Sequence, residues 1–194
     1  MSLLRAFIAV ELPAELQQKV HKATANFRRG IDPLIRWTAA EHMHLTLKFL
    51  GEVDPDTIPV LVERLRGAVA PQFSFSLRLH GVGGFPDLRH PRVIWCGIEG
   101  DIERLKLLQA GIESACAQAG FPVEPRPFQP HLTLGRVRGK RNLHRLLDCI
   151  RMIDDHEGTF EVREIGLYQS TLTPHGSIYE MLAGLVLASP RSSS

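Results

Sequence analysis

The motif His-Leu-Thr-Leu occurs twice in the chain, at 44–47 and again at 131–134. Alternate side chains of a β-strand share one face, so a strand through each copy would place the histidine with the threonine and the two leucines opposite them. Two imidazoles that face one cavity can divide acid–base work, because the unperturbed pKa of histidine lets a neutral and a charged ring coexist near neutral pH. One ring would take a proton from an attacking water, and the other would give a proton to the departing oxygen.

The threonines of the motifs, Thr46 and Thr133, can donate hydrogen bonds to the non-bridging oxygens of a phosphoryl group, where negative charge develops. With His44 and His131 as the catalytic residues, the pattern predicts a phosphodiester hydrolase that needs no metal or other cofactor and forms no covalent intermediate. A lone histidine on a strand is more often structural, but core packing gives no reason to repeat a polar pair.

A metal site is the alternative interpretation of these histidines. His42 and His44 alternate like ligands on a strand, and His131 could be a third. However, Gln129 stands where His42 would have its counterpart, and no Asp or Glu joins the predicted polar faces. The sequence therefore favours a site without metal.

Several residues near the motifs are candidates for substrate binding. Lys48 lies two residues after Thr46 and would continue its face, either to bind substrate or as an exposed edge lysine. Gly135 holds the equivalent place in the second copy and would leave room for a substrate. Phe7 and Trp37 are candidate stacking partners for a base, although such residues are more often part of the core.

A run of basic residues surrounds the second motif. Between Pro125 and Leu147 there are six basic residues and no acidic ones: Arg126, Arg136, Arg138, Lys140, Arg141 and Arg145. Such a run is often only a solvated face, but beside a phosphate site it could attract an RNA backbone. Its contact with the body of an RNA is a hypothesis.

The elements around the two motifs also repeat. A β-rich run at 5–12 is followed by an amphipathic helical pattern after Pro13, and a second run at 92–98 is followed by a helical pattern that Asp101 is expected to cap. Each motif is then followed by a turn, a helix (near 56–69 and near 142–152) and a further strand. These last strands begin at Phe73 and Phe160, each 29 residues after its histidine.

This repetition predicts an α+β fold with two similar lobes, about 5–90 and 91–187, related by a pseudo-twofold axis. Each lobe would be an antiparallel-leaning sheet covered by helices, with the active site in a central groove. The 194 residues fit one bilobal domain over 1–188, and the polar tail at 189–194 is expected to be disordered.

Composition narrows the class of protein further. The charge is nearly balanced, with 23 Lys+Arg against 21 Asp+Glu, so attraction for nucleic acid would have to come from a local patch. The three cysteines form no CxxC pair, and no apolar run is long enough for a signal peptide or a membrane span. We expect a soluble cytoplasmic protein with no membrane association and no obligate protein partner.

The sequence resembles the two-histidine phosphoesterases, and among them it looks most like the bacterial and archaeal RNA 2',3'-cyclic phosphodiesterases, long called 2'-5' RNA ligases. The resemblance covers nearly the whole chain and rests on RAFIAVELP, HLTLKFLGEV, PRVIWCGI, RPFQPHLTLGRV and LYQSTLTPHGSIYE. The paired motif is fairly specific in this arrangement, whereas either copy alone would be weak.

The resemblance implies roles for individual residues. His44 would be the proton donor and His131 the proton acceptor, while Thr46 and Thr133 hold the phosphate. Arg136 would contact the substrate. Simple alternation places Arg136 on the leucine face, so this contact requires a bulge or a strand end.

The implied reaction opens a terminal 2',3'-cyclic phosphate of RNA to leave a 2'-phosphate, and its reverse would join RNA ends through a 2'-5' linkage. Two alternatives stay open. One is a sibling phosphodiesterase that acts on a small cyclic nucleotide or on ADP-ribose cyclic phosphate. The other is an RNA-binding module that has lost catalysis.

Overall fold

The computed structural model of the chain describes residues 2–31, 35–138, 158–173 and 176–189. Within these residues, strands and helices form the mixed fold that the sequence predicts. The strands are β1 (Leu4–Glu11), β2 (Ile35–Trp37), β3 (His44–Val53), β4 (Phe75–Phe85), β5 (Val93–Gly100), β6 (His131–Val137), β7 (Gly158–Val162), β8 (Glu164–Thr173) and β9 (Gly176–Val186). The helices are α1 (Ala14–Ile31), α2 (Ile58–Val69) and α3 (Ile102–Gln118).

The strands form one antiparallel sheet in the order β7-β4-β5-β6-β3-β1-β8-β9, with β2 paired to β6. The motif strands β3 and β6 are central neighbours, and strands at matching places of the repeat flank them: β1 and β5 first, then β8 and β4. This is the order expected for a pseudo-twofold axis between β3 and β6. Each repeat also lends a strand to the other, since β4 pairs with β5 and β8 pairs with β1. The division into two lobes and the domain bounds stay predictions.

The strand predicted to begin at Phe160 is in fact two strands. β7 ends at Val162 and pairs with β4, whereas β8 begins at Glu164 and pairs with β1. The prediction of one strand was wrong because the buried residues change phase here: Val162 and Ile165 are three positions apart, which one alternating strand cannot bury on one face. The matching strand of the first repeat begins at Phe75 instead of Phe73.

The helices begin where the sequence predicts. α1 follows Pro13, and α2 lies within the predicted 56–69. α3 begins after Asp101 and buries Leu105, Leu108 and Ile112 on one face. However, the Asp101 carboxylate does not cap α3, because it accepts a hydrogen bond from the backbone N–H of Ser76 instead. The helix predicted near 142–152 and the tail at 190–194 lie outside the described residues.

One hydrophobic core lies on the face of the sheet that the helices cover. It contains the leucines of both motifs, Leu45, Leu47, Leu132 and Leu134, all of which are buried. The other face of β3 and β6 is therefore left for the polar side chains. Among the described helices, none combines the length and the apolar character needed to cross a membrane.

Candidate active site

The pairing of β3 with β6 brings the two motifs together. Leu45 of β3 is paired with Leu132 of β6, and both side chains are fully buried. The chain neighbours of these leucines therefore emerge on the opposite face. Since the strands are antiparallel, the histidine of each motif lies beside the threonine of the other. This face carries His44, Thr46, His131 and Thr133.

Both histidines are held in the same way. The Nδ1 of His44 lies 2.8 Å from the carbonyl oxygen of His42, and the Nδ1 of His131 lies 2.8 Å from that of Gln129. A carbonyl oxygen can only accept, so each Nδ1 must carry the hydrogen. The other ring nitrogen, Nε2, is left to accept a proton when the ring is neutral and to donate one when it is charged. Each motif thus presents a ring of fixed tautomer.

His44 lies among aromatic rings. Phe7 stacks on it with ring centroids 4.8 Å apart, and Tyr179 meets it edge to face at 5.4 Å. Burial lowers the pKa of His44 to about 4, against the opposing effect of the His42 carbonyl. Positive charge on His42 and, to a smaller extent, on His131 lowers the pKa of His44 further, so charge on one catalytic ring disfavours charge on the other.

His131 has a different environment. The ring of Phe85 meets it edge to face at 4.9 Å, and the ring of Trp95 lies 6.2 Å away. Burial lowers the pKa of His131, the Gln129 carbonyl raises it, and the positive charge of Arg136 lowers it. The guanidinium of Arg136 is therefore close to this ring.

The two threonines complete the polar face. Thr46 and Thr133 are both half-buried. In the part of the chain that the structure describes, neither hydroxyl is hydrogen-bonded to another protein group. Both are thus available to donate to oxygens of a bound phosphoryl group.

A β-bulge in β3 corrects the prediction for Lys48. In the pairing with β1, Ile8 lies opposite Lys48 and Ala9 opposite Thr46, so Leu47 is an extra residue. The bulge turns Lys48 to the helix-covered face, where it is only 6% exposed. The expectation that Lys48 continues the face of Thr46 and binds substrate is therefore wrong.

The ammonium of Lys48 is instead part of the core. It forms an ion pair with Glu113 of α3 at 2.5 Å and donates to the carbonyl oxygen of Pro122 at 2.9 Å. Lys48 thus ties β3 to α3.

The matching bulge in β6 turns Arg136 onto the histidine face. Ile94 of β5 lies opposite Gly135 and Trp95 opposite Thr133, so Leu134 is the extra residue. A substrate contact by Arg136 requires such a bulge, and the bulge is present. The side chain of Arg136 is exposed.

The expectation that Gly135 leaves room for a substrate is wrong. A Cβ there would stand 2.6 Å from the Cγ2 of Ile35 and 3.2 Å from the carbonyl oxygen of Arg36. The glycine therefore lets β2 approach on the core side.

The structure also corrects the aromatic candidates. Phe7 is only 3% exposed, and Tyr168 stacks on it at 5.4 Å while His44 stacks on it as well. A ring covered in this way supports His44 and cannot receive a base. Trp37 packs against the core. Phe49 is the exposed aromatic residue here: it lies opposite Phe7 in the β1–β3 pairing and is 64% exposed.

The structure describes only part of the basic run. Arg126 pairs with Glu124, with Nε and Oε1 2.7 Å apart, and Arg138 is exposed just beyond the end of β6. Lys140, Arg141 and Arg145 lie outside the described residues. Contact between this run and the body of an RNA stays a prediction.

The metal alternative loses its geometric basis at His42. This residue ends a short 3-10 helix (Ala40–His42) rather than extending β3, so His42 and His44 do not alternate on one strand. Within the described residues, no three His, Cys, Asp or Glu side chains gather into a possible metal site.

Sequence reasoning missed three residues near the motifs. Tyr179 comes from β9 and contacts both His42 and His44, which no local pattern could indicate. Arg36 lies in a three-residue strand with no usable periodicity. Phe49 did leave a signal, because it stands 87 positions before Arg136, the same offset that separates the two histidines.

Comparison with known proteins gives consistent matches. The model of the 2'-5' RNA ligase superfamily matches residues 12–173. An RNA 2',3'-cyclic phosphodiesterase from Aeropyrum pernix is 39% identical over 150 residues, which cover 77% of this chain and 84% of the relative. The enzyme of that name from Methanothermobacter thermautotrophicus is 34% identical over 177 residues, covering 91% and 95%. The crystal structure of E. coli LigT complexed with 3'-AMP superposes with a TM-score of 0.77 at 29% identity, covering 96% of this chain and 99% of that one.

Proposed function

This chain belongs to the 2'-5' RNA ligase superfamily, and we propose that it is an RNA 2',3'-cyclic phosphodiesterase. A water oxygen would bond to phosphorus while the bond from phosphorus to O3' breaks, leaving a 2'-phosphate and a 3'-hydroxyl. The observation that carries this proposal is the pair of histidines on one face of the sheet, each with Nδ1 held by a carbonyl and Nε2 left for proton transfer.

The proton transfers divide between the two rings. His131 would accept a proton from the attacking water through Nε2, and His44 would donate the proton on its Nε2 to the departing O3'. Exchange with solvent then returns a proton to His44 and removes one from His131. The same sequence, with a 5'-hydroxyl in place of water as the nucleophile, would form a 2'-5' phosphodiester bond and give 2'-5' ligation.

The low pKa of His44 sets a condition on this assignment. In the free protein His44 is almost entirely neutral at pH 7, and a neutral ring cannot act as the acid. The negative charge of a bound phosphodiester would raise the pKa of both rings. Because a positive charge on His131 disfavours one on His44, the two Nε2 atoms together should carry one proton rather than two.

The remaining groups would hold the substrate. Thr46 and Thr133 would donate to the non-bridging oxygens, and Arg136 would supply positive charge from the His131 side. Phe49, in place of Phe7, would stack on the terminal base, because its ring is exposed on the same face.

We infer that no metal takes part, since the described part of the chain gathers no metal-ligand set. We also propose that the protein works in a reducing compartment such as the cytoplasm, because the thiol of Cys116 is buried and free.

The direct test uses an oligoribonucleotide that ends in a 2',3'-cyclic phosphate, incubated with the protein in excess EDTA. We expect full activity and a 2'-phosphate product, identified by chromatography against both isomers. A 3'-phosphate product would contradict the assigned bond cleavage. Loss of activity that zinc or manganese restores would contradict the metal-free mechanism, and the absence of any turnover would favour a non-catalytic RNA-binding module.

A further inference from the structure

Two arginines face each other across β2 and β6. Arg36 is paired directly with Arg136 in the antiparallel register, so their side chains share one face. The neighbouring residues Ile35 and Val137 pack into or against the core, which places the two arginines on the opposite, histidine-bearing face.

Such a pair is unfavourable, and a bound anion would relieve the repulsion. Like charges directly opposite each other on neighbouring strands destabilise a sheet. Both side chains are exposed, and in the described residues neither guanidinium forms an ion pair with a carboxylate. Two adjacent forks of N–H donors without an acid partner suit the non-bridging oxygens of a phosphate.

The pair lies at one end of the catalytic face. Along β6, Arg136 is the next residue after Thr133 on that face, and same-face positions on a strand are about 7 Å apart. This spacing is comparable to that between successive phosphates of a single RNA strand. The guanidinium of Arg36 reaches toward the β8–β9 hairpin, since its Nη2 is 3.6 Å from where a Cβ on Gly176 would stand. The same hairpin carries Tyr179, which contacts His44.

We propose that Arg36, together with Arg136, binds the phosphodiester adjacent to the terminal cyclic phosphate. The histidines and threonines handle the end of the RNA, and the arginine pair holds the next phosphate along the chain. The site therefore prefers an oligonucleotide to a mononucleotide. This inference rests on the proposed function, and Arg36 is the new element in it.

The test compares two substrates of the full-length protein. One is a dinucleotide that ends in a 2',3'-cyclic phosphate, and the other is the mononucleoside 2',3'-cyclic phosphate, which lacks the second phosphate. For Arg36→Gln we expect the ratio of the dinucleotide KM to the mononucleoside KM to rise about tenfold, as one charge-assisted contact is lost. Arg36→Lys should restore part of this preference, because it keeps the charge but loses the fork.

Arg66→Gln is the matched control, because Arg66 is an exposed arginine on α2, on the helix side of the sheet. Its KM ratio should equal that of the wild type. Binding of the dinucleotide 2'-phosphate product can also be measured by titration at several salt concentrations. The slope of log affinity against log salt concentration should be shallower by about 0.7 in Arg36→Gln. Melting temperatures of all variants confirm that they are folded.

An equal loss for both substrates would overturn the inference, because Arg36 would then act on the cyclic phosphate itself or on the fold. An unchanged KM ratio would overturn it as well. If the wild type turns over neither substrate, the proposed function fails, but the titration still decides about Arg36. Equal dinucleotide affinity of wild type and Arg36→Gln would then reject the phosphate site.

Discussion

His44 and His131 occupy matching places in the two repeats, and the backbone treats them alike. Each Nδ1 donates to the carbonyl oxygen two residues earlier, at the same distance of 2.8 Å. The surroundings differ: Phe7 stacks on His44, whereas Phe85 meets His131 in a T-shaped arrangement and Trp95 lies tilted to it at 6.2 Å, with Arg136 nearby. The repeat therefore copies the geometry of the acid–base pair, and the neighbouring side chains give the two rings different proton affinities.

The same contrast continues beyond the motifs. Both strands contain a bulge at the same place, followed by Lys48 and Phe49 in β3 and by Gly135 and Arg136 in β6. The first residue of each pair faces the core, and the second lies on the histidine-bearing face. One end of this face thus presents an aromatic ring and the other a guanidinium. Such a site can orient a nucleotide, with its base toward one end and its phosphate chain toward the other.

The largest effect is expected from removing either histidine. His44→Ala and His131→Ala should each lower kcat for cyclic phosphate hydrolysis at least about a hundredfold, the typical contribution of a positioned acid or base. His21→Gln, on α1 at the helix-covered side, is the control and should keep wild-type kcat. Near-normal turnover in either alanine variant would remove that histidine from the mechanism.

A sulfur-substituted substrate separates the two roles. When the bridging 3'-oxygen of the cyclic phosphate is replaced by sulfur, the departing thiolate needs little protonation. The loss in His44→Ala should then shrink, while the loss in His131→Ala should persist. The opposite pattern would exchange the acid and the base.

Lys48 and Gly135 are the core-facing residues after the two bulges, but Lys48 has a charged side chain there and Gly135 has none. We therefore expect a loss of stability when the charge of Lys48 is removed. Lys48→Met should lower the free energy of unfolding by about 2 kcal/mol, because it leaves the carboxylate of Glu113 largely buried without its partner. Chemical denaturation measures this, and activity per folded molecule should stay near that of the wild type. Lys106→Met, which breaks an exposed helix pair with Glu103, should change stability by less than about 0.5 kcal/mol. A large loss of activity with unchanged stability would return Lys48 to the substrate site.

The two bulges also explain where sequence reasoning reached its limit. The motifs, the buried leucines, the order of elements and three helices follow from periodicity and repetition. A single extra residue in a strand cannot be recognised from that periodicity. One such residue in each strand turns Lys48 toward the core and Arg136 toward the catalytic face. Burial of Phe7 was equally hidden, because it depends on Tyr168 and Tyr179 from strands far along the chain.

Phe49 provides a smaller test of which end of the histidine-bearing face binds the base. Phe49→Ala should raise KM for a cyclic nucleotide roughly tenfold through the lost stacking on the base, with little change in kcat. Phe73→Ala removes an aromatic ring that is 48% exposed outside the sheet's motif strands, and it should leave KM unchanged. Equal effects of the two substitutions would mean that Phe49 does not contact the base.

The finest distinction between the two histidines is their response to pH. In the free protein the pKa of His44 is about 4, and burial holds the pKa of His131 below its usual value. The reactive form has His44 charged and His131 neutral. This form is most populated between about pH 4 and pH 6.5. The value of kcat/KM reports the free protein and should peak in that window. Bound phosphate raises both pKa values, so kcat should peak at a higher pH, by about one unit. Profiles of both constants from pH 4 to pH 9 measure this. Coincident peaks would contradict the expectation that the charge of the bound phosphate raises the pKa values of the two rings.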